Sequence, residues 1–271
     1  LAPHLIRPMA FVLPHRHAPR PAWLVRLGLL LYDTIGGRSS FPRARRLRAS
    51  DHAYRTPLAG EPKGFVYSDG VTDDVALTRS FAEDARALGA EIRERTELSS
   101  ARRDGQLWDV RFAHDPPVRA RMLVNAAGPW AGALLARLGV NSAARLRLVK
   151  GSHIVVPRLY EGGHAYMLQQ PDRRVVFAFP WRGSTAIGTT DVPVERPEDA
   201  TISADEISYL CAAANRYFRR QIAAEDVIGD WSGIRPLYDD GAGSAQAVTR
   251  DYVLELDAAT PPLLSIFGGK I

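Results

Sequence analysis

The stretch Met122-Leu123-Val124-Asn125-Ala126-Ala127-Gly128-Pro129-Trp130 decides the fold class. Met122 to Val124 is a short uninterrupted apolar run, the pattern of a parallel strand covered on both faces; a half-exposed strand would alternate. The residues after it are small or turn-forming and lead into a helix that ends near Leu138-Gly139. A strand that hands small residues to a helix start presents bare backbone amides at the carboxyl edge of a sheet. Large flat or phosphorylated ligands bind there in α/β folds, because missing side chains let the backbone approach and the helix dipole favours anions. A tight packing turn would use the same residues, and local chemistry leaves the two readings level.

Upstream of this stretch, Thr72 is placed to cap a helix with Asp73 and Asp74 in its first turn, Leu77, Phe81, Ala85 and Leu88 on one face, and Gly89 as its stop. Glu91 to Leu98 reads as a strand. Trp108, Val110 and Phe112 then alternate with Asp109 and Arg111 across an Asp104-Gly105 turn, which predicts a hairpin. Residues 1–62 are rich in Pro, His and Arg, with one helical stretch at about 21–35 ended by Gly36-Gly37.

Downstream the pattern changes to long strands at 146–156, 166–169, 175–179 and 186–190, which predict an antiparallel sheet. One helix interrupts them. It opens with the capping box Ser203-Ala204-Asp205-Glu206 and buries Ile207, Leu210, Cys211, Ala214, Tyr217 and Phe218. Cys211 on that stripe reads as a packed thiol, not a nucleophile. Tyr252 to Leu256 and Leu263 to Phe267 are further strands, the second followed by the paired glycines Gly268-Gly269.

The 271 residues support one large domain or two modest ones. With 46% hydrophobic and 24% charged residues, disordered, collagen-like and membrane-channel classes are excluded. One cysteine allows neither an internal disulfide nor a cysteine metal cluster, so a reduced intracellular setting is expected. The net charge is +5, and 32 of the 35 basic residues are arginine. Genomic base composition explains such a bias more readily than the binding of an anion or acidic surface does. Trp23 to Tyr32 is apolar, but Arg26 interrupts it and it falls short of the ~20 residues that cross a bilayer, so it reads as a buried or surface-lying helix. Arg43, Arg45, Arg46, Arg48 and Arg55 follow with Asp51 as the sole acid among them, a solvated face or, beside that helix, a face for anionic lipid.

Three cations, Arg235, Arg250 and Lys270, sit at or near strand ends, and Lys150-Gly151-Ser152-His153 lies on the first long strand of the antiparallel sheet. Each alone is explained as a surface charge or a satisfied core residue. Together they suit a doubly charged phosphate, which arginine forks bind in bidentate fashion. No nucleophile elbow, HExxH pair, metal-spaced cluster or GxxxxGK loop occurs, so no metal is expected. The arginines are scattered among acids and form no stripe with aromatics, which argues against nucleic acid.

These stretches, with Val149-Lys150-Gly151-Ser152-His153-Ile154-Val155-Val156-Pro157, Ile187-Gly188-Thr189-Thr190-Asp191, Ser232-Gly233-Ile234-Arg235-Pro236-Leu237, Thr249-Arg250-Asp251-Tyr252 and Phe267-Gly268-Gly269-Lys270-Ile271, stand in an order that resembles the FAD-dependent glycerol-3-phosphate dehydrogenases from end to end of the chain. Ala2-Pro3-His4-Leu5, Leu13-Pro14-His15-Arg16 and Arg20-Pro21-Ala22-Trp23 add to the likeness. The resemblance implies an α/β (α+β) fold of the D-amino-acid-oxidase type, a doubly wound FAD domain with an inserted antiparallel substrate domain. The expected boundaries are a partial FAD domain at 1–144, a substrate domain at 145–239 and a return segment at 240–271.

It further implies oxidation of sn-glycerol 3-phosphate to dihydroxyacetone phosphate with FAD, electrons passing to membrane quinone at the inner face of the cell membrane, from a cytoplasmic, peripheral protein for which a homodimer is allowed. By residue, Arg235, Arg250 and Lys270 would hold the substrate. His153 would be the general base, with Lys270 as its competitor. Leu98, Asn125, Ala126, Ala127, Gly128, Pro129, Trp130, Gly268 and Gly269 would line the FAD. The family's opening strand with its GxGxxG turn and a following substrate arginine are not found in these 271 residues, nor is the Thr-Thr-Tyr-Arg stretch beyond the Gly-Gly-Lys. The expectation is therefore a fragment that binds FAD poorly and does not turn over. The competing expectations are a glycerophosphate oxidase that uses oxygen, and an arginine-rich module for anionic surfaces.

Overall fold

A computed structural model describes residues 4–16, 20–35, 41–239 and 251–269. The chain opens with β1 (Ile6–Pro14), α1 (Ala22–Ile35), β2 (Arg45–Arg46), α2 (His52–Arg55) and β3 (Gly64–Thr72). Helix α3 (Asp74–Ala87) leads to β4 (Leu98–Asp104), β5 (Leu107–Phe112), β6 (Val118–Ala120) and β7 (Leu123–Asn125). After α4 (Ala131–Arg137) come β8 (Leu146–Val156), β9 (Ala165–Gln169), β10 (Val175–Trp181), β11 (Ser184–Gly188) and β12 (Val192–Val194). The rest is α5 (Ala204–Asn215), β13 (Gly229–Tyr238), β14 (Tyr252–Asp257) and β15 (Leu263–Gly268).

Contacts divide the chain into two units. The first comprises residues 1–77, 151–190 and 201–232, the second residues 78–150, 191–200 and 233–271. In the first unit the strands follow the order β8-β11-β10-β9-β1-β3-β2, antiparallel throughout except where β1 meets β9 in parallel. Period-2 alternation gives this sheet two faces. Val12, Ile154, Val156, Leu168, Val176, Ala178 and Ile187 point to one face and are buried with Leu210, Cys211, Ala214, Tyr217 and Phe218 of the α5 region. Helix α5 has the predicted capping box: Ser203 Oγ accepts the Glu206 N–H and the Glu206 carboxylate accepts the Ser203 N–H. Cys211 is buried there, and burial pushes its thiol pKa up. The other face is half-buried and aromatic. Phe11 stacks on Tyr67 at 5.3 Å, meets Phe177 edge-on at 6.0 Å, and Phe179 meets Trp181 at 6.4 Å.

The second unit has a three-stranded sheet ordered β14-β15-β7 and a three-stranded meander β4-β5-β6. β15 runs antiparallel to β14 and parallel to β7. Trp108, Val110, Ala131, Leu135, Leu263 and Phe267 form its core. The Trp108 indole N–H donates to the Pro262 carbonyl at 3.0 Å, which ties the meander to the strand at β15.

Three expectations are corrected. Glu91 to Leu98 is no strand: Arg95 turns the chain at φ +56°, and Leu98 begins β4 where it was expected to end a strand. Helix α3 is capped by Asp73, whose Oδ1 accepts the Ala76 N–H at 3.0 Å, because Thr72 is taken by β3. Val124 is half open to solvent, so β7 is not covered on both faces within the described residues. β1, β2 and β3 join the antiparallel sheet, and residues 1–77 cluster by contacts with residues 151–190 and 201–232. Pro8 within β1 conceals this strand in the sequence, since a proline weakens any strand reading. Among the described residues no helix is long and apolar enough to cross a membrane, and no group of His, Cys, Asp or Glu could hold a metal ion.

Candidate functional site

In the second unit Asn125 of β7 lies opposite Ser265 of β15 in parallel register. Both strands therefore finish on one edge, which brings together Asn125-Ala126-Ala127-Gly128 and Gly268-Gly269. Asn125 is buried and spends its side chain on the turn: Oδ1 accepts the Ala127 N–H at 3.3 Å and Nδ2 donates to the Ala131 carbonyl at 3.0 Å. This bracket holds the path from strand to the single turn Gly128–Trp130 and on to α4. Gly128 has φ +56°, and the space a Cβ would take there is open. Gly268 has φ +72°, and its Cβ would stand 3.0 Å from the Asp251 carbonyl oxygen and 3.5 Å from the Tyr238 nitrogen. A strip of bare backbone of this kind is what a flat nucleotide with phosphates needs in order to approach a sheet edge. The residues present thus fit FAD as far as this strip extends.

Around the strip, Ala126 is exposed, Ala127 and Pro129 are half-buried, and the Trp130 indole N–H donates to Glu198 Oε1 at 2.8 Å. A cavity of about 690 Å³ beside it is lined by Trp130, Leu146, Arg147, Glu198, Asp239 and Phe267, among others. Leu98 sits at the start of β4, where its carbonyl accepts from Arg137 Nη1 at 3.1 Å and its side chain packs on the core of this unit.

Arg235 lies on β13, three residues before its end at Tyr238, the residue that Gly268 approaches. Its Nη2 is 2.8 Å from Asp191 Oδ1, and both side chains are partly open to solvent. Nearby on the same strand's exit, Arg147 pairs with Asp239 at 3.0 Å. Arg250 and Lys270 lie outside the described residues.

His153 belongs to the first unit, on β8, pointing to the aromatic face. Its ring stacks on Trp231 at 4.7 Å and 6°, and meets Phe179 edge-on at 6.1 Å. Gly188 is paired with it across the strands, and a Cβ on Gly188 would run into the imidazole. So a bare position on β11 makes the space that the ring occupies.

Sequence reasoning gave no role to Trp231, Gly188 or Asp191 and read Glu206 only as a helix cap. Gly188 and Asp191 stand in the Ile187-Gly188-Thr189-Thr190-Asp191 stretch. The signal that could have found Gly188 is a glycine inside an otherwise apolar strand, which often marks a close approach. Nothing local marks Trp231, because its partner is distant in sequence.

A family model for FAD dependent oxidoreductases matches residues 1–271. The chain is 47% identical over 280 residues to D-erythritol 1-phosphate dehydrogenase of Brucella abortus, covering 100% of this chain and 56% of that protein. It is 46% identical to glycerol-3-phosphate dehydrogenase of Pseudomonas aeruginosa, again over 100% of this chain and 54% of the relative. The chain thus spans about half the length of these curated relatives. Among solved structures, the glycerol-3-phosphate dehydrogenase of Bacillus halodurans complexed with FAD matches with a TM-score of 0.69 and 26% identity, over 99% of this chain and 49% of that one. The fold is that of this mixed α/β class with antiparallel sheets.

Proposed function

The chain belongs to the FAD-dependent oxidoreductase family, and from that premise we propose that the protein oxidises a polyol phosphate of the glycerol 3-phosphate type to the corresponding keto phosphate. One observation carries the choice of substrate class. Arg235 presents a partly exposed guanidinium on the strand whose last residue abuts Gly268, the bare position on the candidate nucleotide edge. A planar fork of this kind matches a phosphate. The names of the two relatives quoted above, both dehydrogenases of phosphorylated polyols, support the same class.

FAD, when bound, supplies the acceptor for the hydride that leaves the substrate's C2–H. The chain's own residues do the rest. Asn125 to Trp130, Gly268 and Gly269 offer backbone to the cofactor, with Leu98 as a further backbone contact. Arg235 binds the phosphate, joined by Arg250 and Lys270. His153 accepts the proton of the C2 hydroxyl as the hydride departs, a role in which a positioned base contributes roughly 10²–10⁴ in rate. A quinone takes the electrons at a membrane surface. Helix α1 supports that location, since none of its residues is buried and Trp23, Leu27, Leu30 and Leu31 are exposed.

Steady-state kinetics of the full protein with sn-glycerol 3-phosphate, D-erythritol 1-phosphate and glycerol test this reading. The phosphorylated polyols are expected to exceed glycerol in kcat/KM by roughly a hundredfold or more, equivalent to about 2.7 kcal/mol of transition-state binding. Equal efficiency with glycerol would remove the phosphate from the proposal. Peroxide formed in proportion to turnover would replace the quinone by oxygen.

A further inference from the structure

Glu206 does more than cap α5. It is buried, at 5% exposure, and its two oxygens serve different partners. Oε2 accepts the Ser203 N–H at 2.9 Å, which completes the capping box. Oε1 accepts the Ser152 hydroxyl at 2.8 Å and the Thr190 hydroxyl at 2.7 Å. Ser152 Oγ also lies 2.8 Å from Ser232 Oγ, and the Ser152 N–H donates to Thr190 Oγ1 at 2.9 Å. A capping box requires neither a buried carboxylate nor a grip on the sheet. A buried carboxylate is costly unless its lone pairs are filled, and here Ser152, Thr190 and Ser203 fill them.

A carboxylate in its ionised form only accepts, and each hydroxyl has one proton to give; with Ser152 and Thr190 donating to Oε1, Ser232 is then left as the donor to Ser152. Along a strand, neighbouring side chains point to opposite faces. Ser152 faces Glu206 and its neighbour His153 faces the aromatic side; Ser232 faces Ser152 and its neighbour Trp231 stacks on His153 at 4.7 Å. One carboxylate therefore holds, from behind the sheet, both segments whose side chains form the stack in front.

We infer that Glu206 is a positioning residue for His153: through Ser152 and Ser232 it sets the stack of the imidazole on Trp231. Its relevance to catalysis rests on the reading of His153 as proton acceptor given above, but its test does not need turnover. In the full chain carrying ring-labelled histidine, the His153 signal is identified by its loss in His153→Asn, and Trp231→Leu defines the position of the unstacked ring by NMR. Glu206→Gln leaves a single accepting oxygen where the carboxylate has two, and turns an amide donor toward whatever the other oxygen served. This variant is expected to move the His153 signal at least half of the way to the unstacked position. A smaller displacement in folded Glu206→Gln overturns the inference. If Glu206→Gln does not fold, Ser152→Ala, which leaves the cap intact, decides on the same half-way criterion. In turnover by the full protein, Glu206→Gln is expected to lower kcat roughly tenfold with KM unchanged within about a factor of two. A wild-type protein that fails to oxidise polyol phosphates would end the functional reading while leaving the NMR result, and with it the positioning role, to be judged separately.

Discussion

At 2.8 Å from Asp191 the Arg235 guanidinium is already ion-paired, with about a third of its side chain open to solvent. A pair this exposed adds little to stability, typically ~0–1 kcal/mol. Its value lies in orientation, because the carboxylate holds the plane of a guanidinium that stays about a third open to solvent. Arg235→Ala in the full protein is therefore expected to raise KM for the phosphorylated substrate by roughly 10–100-fold, the worth of a charge-assisted contact, and to leave turnover of glycerol nearly unchanged. Equal losses on both substrates would show that Arg235 does not bind the phosphate. A different residue governs the pH dependence of stability. His164 is buried among Tyr54, Tyr160 and Tyr166 at 4.6–5.0 Å, and desolvation lowers its pKa from 6.5 to about 4. Between those values the unfolded chain binds a proton that the folded chain refuses, so stability is intact above pH 6.5 and falls as the pH drops. The loss reaches about 3 kcal/mol near pH 4. Denaturant titrations of wild type and His164→Phe over that range should differ in slope; parallel curves would place the acid sensitivity elsewhere.

At the scale of elements, the contact between β8 and β11 is the tightest point of the aromatic face. Gly188 leaves the room that the His153 ring fills. Gly188→Ala should displace the imidazole, cost about 1–3 kcal/mol by overpacking, and depress flavin reduction by substrate in a single turnover, while the flavin content of the purified protein stays unchanged. Unaltered reduction by this variant would argue that the ring position does not matter for chemistry. The elements legible in the sequence were those whose own pattern suffices. The period of α5 with its capping box, the alternation of Trp108, Val110 and Phe112, the apolar run of β15 and the long strands β8 to β10 stand where the residues put them, while β11 lies two residues earlier than read. What stayed hidden depends on partners far along the chain. β1 has prolines at both its third and last positions and becomes a strand because β3 and β9 flank it. The apolar face of α3 is legible, yet Phe81 is 61% exposed because nothing in the described residues packs over it. The same holds for the site: the bare stretches at Asn125 to Gly128 and at Gly268-Gly269 are legible in local composition, whereas the parallel register of β7 on β15 is not, since those strands lie far apart in the chain. The Trp231 stack and the second grip of Glu206 arise only when distant segments meet.

For the molecule as a whole, the two units carry different halves of the proposed chemistry. The unit built from residues 78–150, 191–200 and 233–271 holds the bare edge and Arg235, and the unit built from residues 1–77, 151–190 and 201–232 holds His153 on its aromatic face. The recruitment of β1 to β3 into the antiparallel sheet makes that unit larger than composition suggested, since the Pro- and Arg-rich opening conceals strands that the sheet completes. The proposed reaction takes a hydride from a phosphorylated polyol onto a flavin. It is tested most directly by adding sn-glycerol 3-phosphate to the full protein without oxygen and following the flavin absorbance. The account predicts bleaching within the time of a single turnover, and none with glycerol or with amino acids at the same concentration. Bleaching by an amino acid, with the flavin left oxidised by the phosphorylated polyols, would contradict it.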